Sequence, residues 1–256
     1  MKQNETIIIK ETSRLENAAN YRSDNHLSNK WYCVQLPLTD YLKAWDLQRR
    51  LVQARKYGSI NQDILLLLEH PSVFTVGRNG GRENLRVSEA FLERIGTPLI
   101  QVERGGSITY HGPGQLIGYP IIDLNRFRLR VVDFVWKLEE VMIRAASTWG
   151  ITAERNSKNR GIWVGNNKLG SIGVAVRRGV SFHGFALNIN VSLEPFCWIH
   201  PCGLNSIGMT SFEKELSRPV SVPQVLETVK GCVEQVFNVR LISPQAPNIT
   251  LILNDN

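Results

Sequence analysis

The stretch of sequence that decides the fold is IWVGNNKLGSIGVAVRRGVSFHGFALNIN, residues 162–190. Apolar residues alternate along it with small or polar ones, at the two-residue period of a β-strand. Two groups of turn-forming residues, Gly165-Asn166-Asn167 and Arg178-Gly179, divide the stretch. We therefore expect consecutive strands joined by tight turns, which is typical of neighbouring strands in one sheet.

Three helices are predicted outside this stretch, two before it and one after it. Residues 131–149 give the clearest pattern, because the apolar positions 131, 134, 135, 138, 141, 142, 145 and 149 form one stripe and Gly150 follows where a C-terminal cap belongs. Asp40 is placed to cap a helix that runs to about residue 57. Ser221 and Gln224 form a capping box for a last helix that continues to residue 236.

The remaining periodic segments are mostly strands. They cover residues 31–36, 64–69 and 73–76 and several pieces of 99–124, with a short helix at 88–95. Strands outnumber helices and follow one another, and no repeat or low-complexity linker divides the chain. The sequence therefore predicts an α/β (α+β) domain, a single mixed sheet flanked by helices. We place it at residues 31–240, between a mobile polar extension (1–30) and a C-terminal tail (241–256).

Composition excludes several classes of protein. The chain has 256 residues, of which 43% are hydrophobic and 21% charged, which is ordinary for a globular domain and excludes disorder or a coiled-coil rod. The longest aliphatic block, Ile64–Leu68, is far shorter than the ~20 residues of a membrane span. Four irregularly spaced cysteines and no secretory signal predict a reducing compartment. We expect the cytoplasm, with an organelle as the alternative, because residues 1–30 balance basic with acidic residues, unlike a transit peptide.

The net charge of +7 is spread over the chain in short clusters at residues 126–130, 155–160 and 177–178. The simplest interpretation of these basic clusters is that they are solvated surface. The alternative is that they form a docking face for an acidic partner. Nucleic acid is less favoured, because no RNA- or DNA-binding motif accompanies the charge.

One segment, RGGSITYHGPGQ at residues 104–115, combines glycines with reactive side chains. Glycine lets the backbone approach a ligand closely, and strand alternation places Thr109 and His111 on one face. A simpler interpretation is two turns around an ordinary strand, but six polar side chains among four glycines are more than a turn needs. The segment lacks the Gly-Lys-Ser/Thr ending of a phosphate loop.

Two further segments carry a lysine and a cysteine that are candidate functional residues. Lys168 begins a strand of small residues, although a lysine beside a turn is most often just solvated. Cys202 lies between a proline and a glycine, on a constrained loop, whereas Cys33 and Cys232 fall in apolar strand and helix patterns. A zinc site at Cys197, His200 and Cys202 would supply three donors at a spacing that matches no common pattern, so we expect no metal.

Together these segments closely resemble one family, the lipoyl(octanoyl) transferases of lipoate biosynthesis, which are related to lipoate and biotin protein ligases. The resemblance rests on residues 69–78, 104–115 and 168–173 and on Pro201-Cys202-Gly203, in the family's order and at its separations. It covers residues 31–239 and leaves the N-terminal extension unexplained.

The resemblance implies acyl transfer in two steps without a cofactor. Octanoyl-acyl carrier protein would donate to the Cys202 thiolate, and lysines of lipoyl domains of 2-oxoacid dehydrogenases or of the glycine-cleavage H protein would accept. Lys168 would tune the nucleophile. By the same resemblance the substrate-binding walls comprise Arg104, Gly105, Gly106, Ser107, Ile108, Thr109, Tyr110, His111, Ser171, Ile172, Gly173, Gly184, Phe185 and Ala186. Neither nucleic acid nor a membrane is an expected partner.

Residue chemistry fits these roles independently. An ordinary cysteine has a pKa of about 8.5 and is mostly protonated near neutral pH. An ammonium ~4 Å away attracts the thiolate by about 4 kcal/mol at an effective dielectric constant near 20, so a lower pKa is expected. Backbone N–H groups near Cys202 and Gly203 are candidate oxyanion donors. For His111, proton relay and substrate positioning both stay open.

Two rival functions remain to be distinguished. An ATP-dependent lipoate-protein ligase on the same fold would activate the free acid and would need no cysteine, so Cys202 in its Pro-Cys-Gly loop favours the transferase. A catalytically silent binding module is disfavoured, because every reactive position of the family is present.

Overall fold

The structure is a computed structural model, and it describes residues 29–156, 159–200 and 208–244 together with Ile249 and Ile252. Strands β1 to β6 and the first two helices come first along the chain. In order they are β1 (Lys30–Leu38), α1 (Tyr41–Lys56), β2 (Asp63–Glu69), β3 (Val73–Val76), α2 (Glu89–Arg94), β4 (Leu99–Gln101), β5 (Ile108–His111) and β6 (Gln115–Ile121).

The second half contains the longest helix and the strands predicted from residues 162–190. In order they are α3 (Val131–Thr148), β7 (Glu154–Arg155), β8 (Gly161–Val164), β9 (Asn167–Arg177), β10 (Val180–Asn188), β11 (Gly208–Met209), α4 (Phe212–Leu216), α5 (Val222–Phe237) and β12 (Arg240–Ile242). Two short 3₁₀ helices lie at Arg82–Asn84 and Glu194–Trp198.

Most of these strands join one mixed sheet. Among the described residues its order is β12-β1-β2-β6-β10-β9-β8-β7, with β11 paired to β9. Strands β12, β1 and β2 run parallel to one another. From β2 onward in this order, each strand is antiparallel to the next, as far as β7. A second sheet has the order β4-β3-β5. The predicted mixed sheet flanked by helices is confirmed.

The two faces of the large sheet bury separate apolar cores. Along β2, Leu65 and Leu67 join the cluster that contains α3 and α5, whereas Ile64, Leu66 and Leu68 join the cluster that contains α1. Alternating side chains of one strand therefore hold α3 and α5 on one face and α1 on the other. Among the described residues no helix is long and apolar enough to cross a membrane.

Local signals at helix ends are confirmed. The Asp40 carboxylate accepts hydrogen bonds from the first-turn N–H groups of α1, and the Ser221 hydroxyl accepts one from the Gln224 N–H at 3.4 Å. Gly150 has a φ of +80° directly after α3, as its predicted cap role requires.

The predicted helix at residues 131–149 is confirmed as α3, although the apolar stripe is not covered evenly. Val131 in the first turn is 45% exposed, whereas Phe134 and Leu138 enter the core. The predicted boundary at residue 240 falls inside β12, and residues 1–28 lie outside the described part of the chain.

Gly184 allows β10 to lie close to β6, because a Cβ there would be 2.1 Å from the Gly118 carbonyl oxygen. We predict that Gly184→Ala lowers the free energy of unfolding by about 1–3 kcal/mol, since overpacking forces the strands apart. Gly231, inside α5, is the control: a Cβ there meets no atom within 4 Å, so Gly231→Ala is expected to add about 1 kcal/mol. Urea unfolding measures both. Equal effects of the two variants would contradict this account of Gly184.

Candidate active site

A cavity of about 590 Å³ opens between β5, β9, β10 and the loops that precede β5. This volume is in the range of small-molecule sites. The residues of the predicted substrate-binding walls that line it are Arg104, Gly105, Gly106, Ser107, Ile108, Thr109, His111, Ser171, Ile172, Gly173, Gly184, Phe185 and Ala186. Lys168 lines it as well. Three separate segments of sequence therefore meet around one space.

Tyr110 is the one predicted wall residue that does not line the cavity. Its neighbours Thr109 and His111 do, so strand alternation turns Tyr110 to the opposite face of β5. There its ring packs against Phe74 and Phe196 and its hydroxyl lies 2.9 Å from the Ser72 hydroxyl. Tyr110 thus packs beneath the wall and does not form part of it.

Arg104 fixes the loop that precedes β5. Its guanidinium donates to the Thr75 carbonyl at 2.6 Å, to the Thr75 hydroxyl at 2.9 and 3.2 Å, and to the Gly105 carbonyl at 3.0 Å. Gly173 packs against it, because a Cβ there would be 2.8 Å from Arg104 Cδ. Arg104 is buried, so these bonds tie the loop before β5 to β3, while the contact with Gly173 places the loop against β9.

His111 is held on both ring nitrogens by neighbouring side chains. Nδ1 donates to Gln115 Oε1 at 2.8 Å, while Nε2 faces the Thr75 hydroxyl at 3.4 Å. Gln115 Nε2 donates in turn to Asn188 Oδ1 at 2.8 Å, which sets the orientation of its amide. Burial lowers the pKa of His111 to about 3, with His70 as a further cause. An imidazole ring that is neutral and contacted at both nitrogens favours substrate positioning over proton relay as the role of His111.

Lys168 lies at the start of β9 with its ammonium inside the protein. The residue is 5% exposed, Nζ donates to Asn159 Oδ1 at 2.7 Å, and Nζ lies 5.3 Å from the centre of the Trp163 ring. The solvated interpretation of a lysine beside a turn is therefore wrong here. Amide and ring both stabilise the charged form.

Asn159, which sequence reasoning missed, is held in place by a buried carboxylate of α3. Glu139 is fully buried and accepts from the Gly161 N–H at 3.0 Å, and it lies 3.4 Å from Arg155 and 3.6 Å from Arg160. These contacts fix the segment on both sides of Asn159. The available signal was an acidic residue at position 139, at helical spacing between stripe positions 135 and 142.

The cavity is also lined by two tyrosines and a histidine that are not among the predicted wall residues. Tyr41, Tyr119 and His183 come from α1, β6 and β10. His183 has a φ of +53° and its N–H donates to Gln48 Oε1 at 2.7 Å. Neither ring nitrogen has a hydrogen-bond partner among the described residues, and Nε2 is 3.9 Å from Glu103. Burial lowers the pKa of His183, although Glu103 opposes the shift.

The proposed nucleophile, Cys202, and Gly203 lie outside the described residues. Of the cysteines that are described, Cys33 is half-buried, and burial raises its pKa to about 11. Burial also raises the pKa of Cys232. Both therefore make poor thiolates, whereas Cys197 is exposed. No group of three or more His, Cys, Asp or Glu residues that could hold a metal occurs in the described ranges.

Comparison with known families defines the class of protein. Residues 40–234 match the family model of the lipoyl protein ligase A/B catalytic domain. This match spans most of the chain and includes every described segment that lines the cavity. The chain belongs to this family.

Curated relatives then narrow the family to one activity. An octanoyltransferase of Desulfotalea psychrophila is 43% identical over 208 residues, which cover 80% of this chain and 93% of the relative. One of Rubrobacter xylanophilus is 46% identical over 200 residues, or 76% of this chain and 88% of the relative. The chain is therefore an acyltransferase of the octanoyltransferase group and acts in protein lipoylation.

Solved structures share the fold at low identity. The bipartite lipoate protein ligase of Thermoplasma acidophilum superposes with a TM-score of 0.68 at 14% identity, covering 88% of this chain and 90% of that one. A lipoate-protein ligase A bound with ATP gives 0.67 at 14%, covering 87% and 92%. The predicted relation to lipoate ligases is confirmed for the fold. The ATP-dependent ligase activity fits less well, because the relatives at over 40% identity are octanoyltransferases.

His70 gives a testable link between this site and stability. Its ring lies 2.7 Å from the Thr39 carbonyl and 2.8 Å from the Tyr119 hydroxyl, and burial lowers its pKa to about 4. The unfolded chain has the ordinary pKa of about 6.5, so between these values it binds more protons than the native state. Stability must therefore fall as the pH drops through this window.

We predict that His70→Gln, which does not titrate, removes about 1.4 kcal/mol per pH unit from this slope. Urea unfolding between about pH 4.5 and pH 7 measures the slope for both proteins. An identical slope in the variant would show that His70 is not neutral in the native state.

Proposed function

We propose that the chain transfers octanoyl groups from acyl carrier protein to lysines of lipoyl domains and of the glycine-cleavage H protein, through a thioester on Cys202. The observation that carries this proposal is the Lys168 ammonium, which is buried, hydrogen-bonded and directed at a cavity of about 590 Å³. A cytoplasmic location belongs to the same proposal, since a reactive thiol needs a reducing compartment.

The first step forms a bond between sulfur and the acyl carbon. The Cys202 thiolate attacks the carbonyl carbon of the octanoyl thioester, the carrier's thiolate leaves, and it takes a proton from water. Lys168 stabilises the attacking thiolate by charge without giving up its own proton. One thioester replaces another, so the step is nearly neutral in free energy.

The second step moves the acyl group to nitrogen. The neutral ε-amine of the acceptor lysine attacks the Cys202 thioester, an amide forms, the thiolate leaves, and the amine's extra proton passes to solvent. An amide is more stable than a thioester, so this step runs downhill without a nucleotide. Gly105, Gly106 and Gly173 line the cavity, which would hold the extended acyl chain.

A direct test is the mass of the protein after mixing with octanoyl-acyl carrier protein. We expect one octanoyl adduct that neutral hydroxylamine removes, and no adduct on Cys202→Ser. The wild-type adduct should disappear when a lipoyl domain is added. Acceptor octanoylation from octanoate, ATP and Mg²⁺ without the carrier protein would instead establish the ligase.

A second test concerns the role of Lys168. We predict that Cys202 in the wild-type protein is alkylated with a pKa about one to two units below 8.5, and that Lys168→Met returns it to at least about 8.5 because the neighbouring charge is lost. Iodoacetamide rates against pH, mapped by peptide, give these values. Exposed Cys197 in the same samples is the internal control. The same Cys202 profile in both proteins would remove Lys168 from the mechanism.

A further inference from the structure

The first two turns of α3 expose a patch of apolar side chains. Val131 is 45% exposed, Val132 57% and Trp136 48%. Among the described residues seven large hydrophobic side chains are exposed, and these three lie within six consecutive positions. We call them the α3 patch. Single exposed apolar residues are normal, but a cluster marks a surface that binds something.

The α3 patch continues into the cavity. Val131 belongs to both, and Val135, one helical turn further on, is buried and lines the cavity. Asn159 and Arg160 line the same edge, and Asn159 accepts the hydrogen bond from Lys168. A protein bound on the patch would therefore sit beside the opening that leads to the Lys168 ammonium.

Arginines surround the patch. Arg128 is exposed, the Arg130 side chain is 80% exposed and that of Arg160 is 51% exposed. Two carboxylates offset part of this charge, because Asp133 pairs with Arg130 at 2.7 Å and the buried Glu139 lies 3.6 Å from Arg160. Three arginines face two carboxylates, one of which is buried, so the exposed rim keeps a positive charge. An apolar centre with a cationic rim is complementary to an acidic partner with an apolar contact.

We propose that the α3 patch and its arginines form the docking surface for the acyl carrier protein, an inference that rests on the proposed function. Of the three patch residues only Val131 lines the cavity, and Lys168 is 5% exposed, so a protein docked on the patch must reach inward to the ammonium. The long prosthetic arm of a carrier protein can span such a distance. The lysine side chain of an acceptor domain is shorter, so the patch suits the carrier better than the acceptor.

The test compares two substitutions that are matched in position. Val132 and Leu42 are each the second residue of a helix, with 57% and 52% exposure, but α3 and α1 lie on opposite faces of the large sheet. Glutamate in a first helical turn is compatible with the helix dipole, so both Val132→Glu and Leu42→Glu should fold. In calorimetric titrations with holo-acyl carrier protein, we expect Val132→Glu to weaken binding about tenfold and Leu42→Glu to leave it unchanged.

Comparing a protein donor with a small donor distinguishes an effect on docking from an effect on the acylation step. We expect Val132→Glu to slow acylation of Cys202 by octanoyl-acyl carrier protein, more at low salt than at high salt, but not acylation by octanoyl-pantetheine. Equal slowing with both donors would overturn the proposal, because the cavity itself would then be disturbed. Equal carrier binding by the two variants would also overturn it.

Two further outcomes keep this proposal separate from the proposed function. If carrier binding depends on Val132 but no donor acylates Cys202, the docking surface stands and the thioester mechanism fails. If Val132→Glu instead slows only the transfer from pre-acylated enzyme to a lipoyl domain, the surface belongs to the acceptor and our assignment is wrong.

Discussion

Keeping a lysine ammonium out of water is the constraint on which the rest of this site depends. A buried charge is costly unless polar groups replace its hydration, and Lys168 obtains such contacts from the Asn159 amide and the Trp163 ring. Both partners belong to the segment that enters and forms β8. That segment is fixed by Glu139, whose carboxylate accepts from the Gly161 N–H in the core beneath α3. The longest helix is thus linked to the cavity through one buried acid.

The fold was largely predictable because its signals are local. Alternation and paired turns defined β8, β9 and β10, and the carboxylate of Asp40 and the hydroxyl of Ser221 capped their helices as expected. Helix α4 was missed because its five residues are too few to show a period. The exposure of Val131 was not predictable for another reason: periodicity gives the apolar face of a helix but not how much of its length other elements cover.

The site was predictable only where motifs carried it. Wall residues 171–173 and 184–186 meet at the cavity because antiparallel pairing places Gly173 beside Gly184, a register that one sequence does not specify. The loop before β5 joins them through a hydrogen bond from the Gly105 N–H to the Val174 carbonyl. Asn159 and His183 carry no motif, and each acts through contacts with residues distant in sequence. His183 has a positive φ, and its N–H donates a hydrogen bond to Gln48 on α1, 135 residues earlier in the chain.

A shared fold therefore leaves the chemistry open, and individual side chains decide it. The archaeal lipoate ligase has the same architecture at 14% identity, which shows that these strands and helices tolerate almost complete change of sequence. A ligase activates a free acid and has no need of an internal nucleophile. In the proposed mechanism the transferase receives an already activated acyl group on a thiolate, and a nearby positive charge protected from water stabilises that thiolate. Lys168 carries such a charge, Asn159 accepts its hydrogen bond and Glu139 supports the segment that holds Asn159. The proposed chemistry thus depends on a few polar contacts within a frame that ligases share.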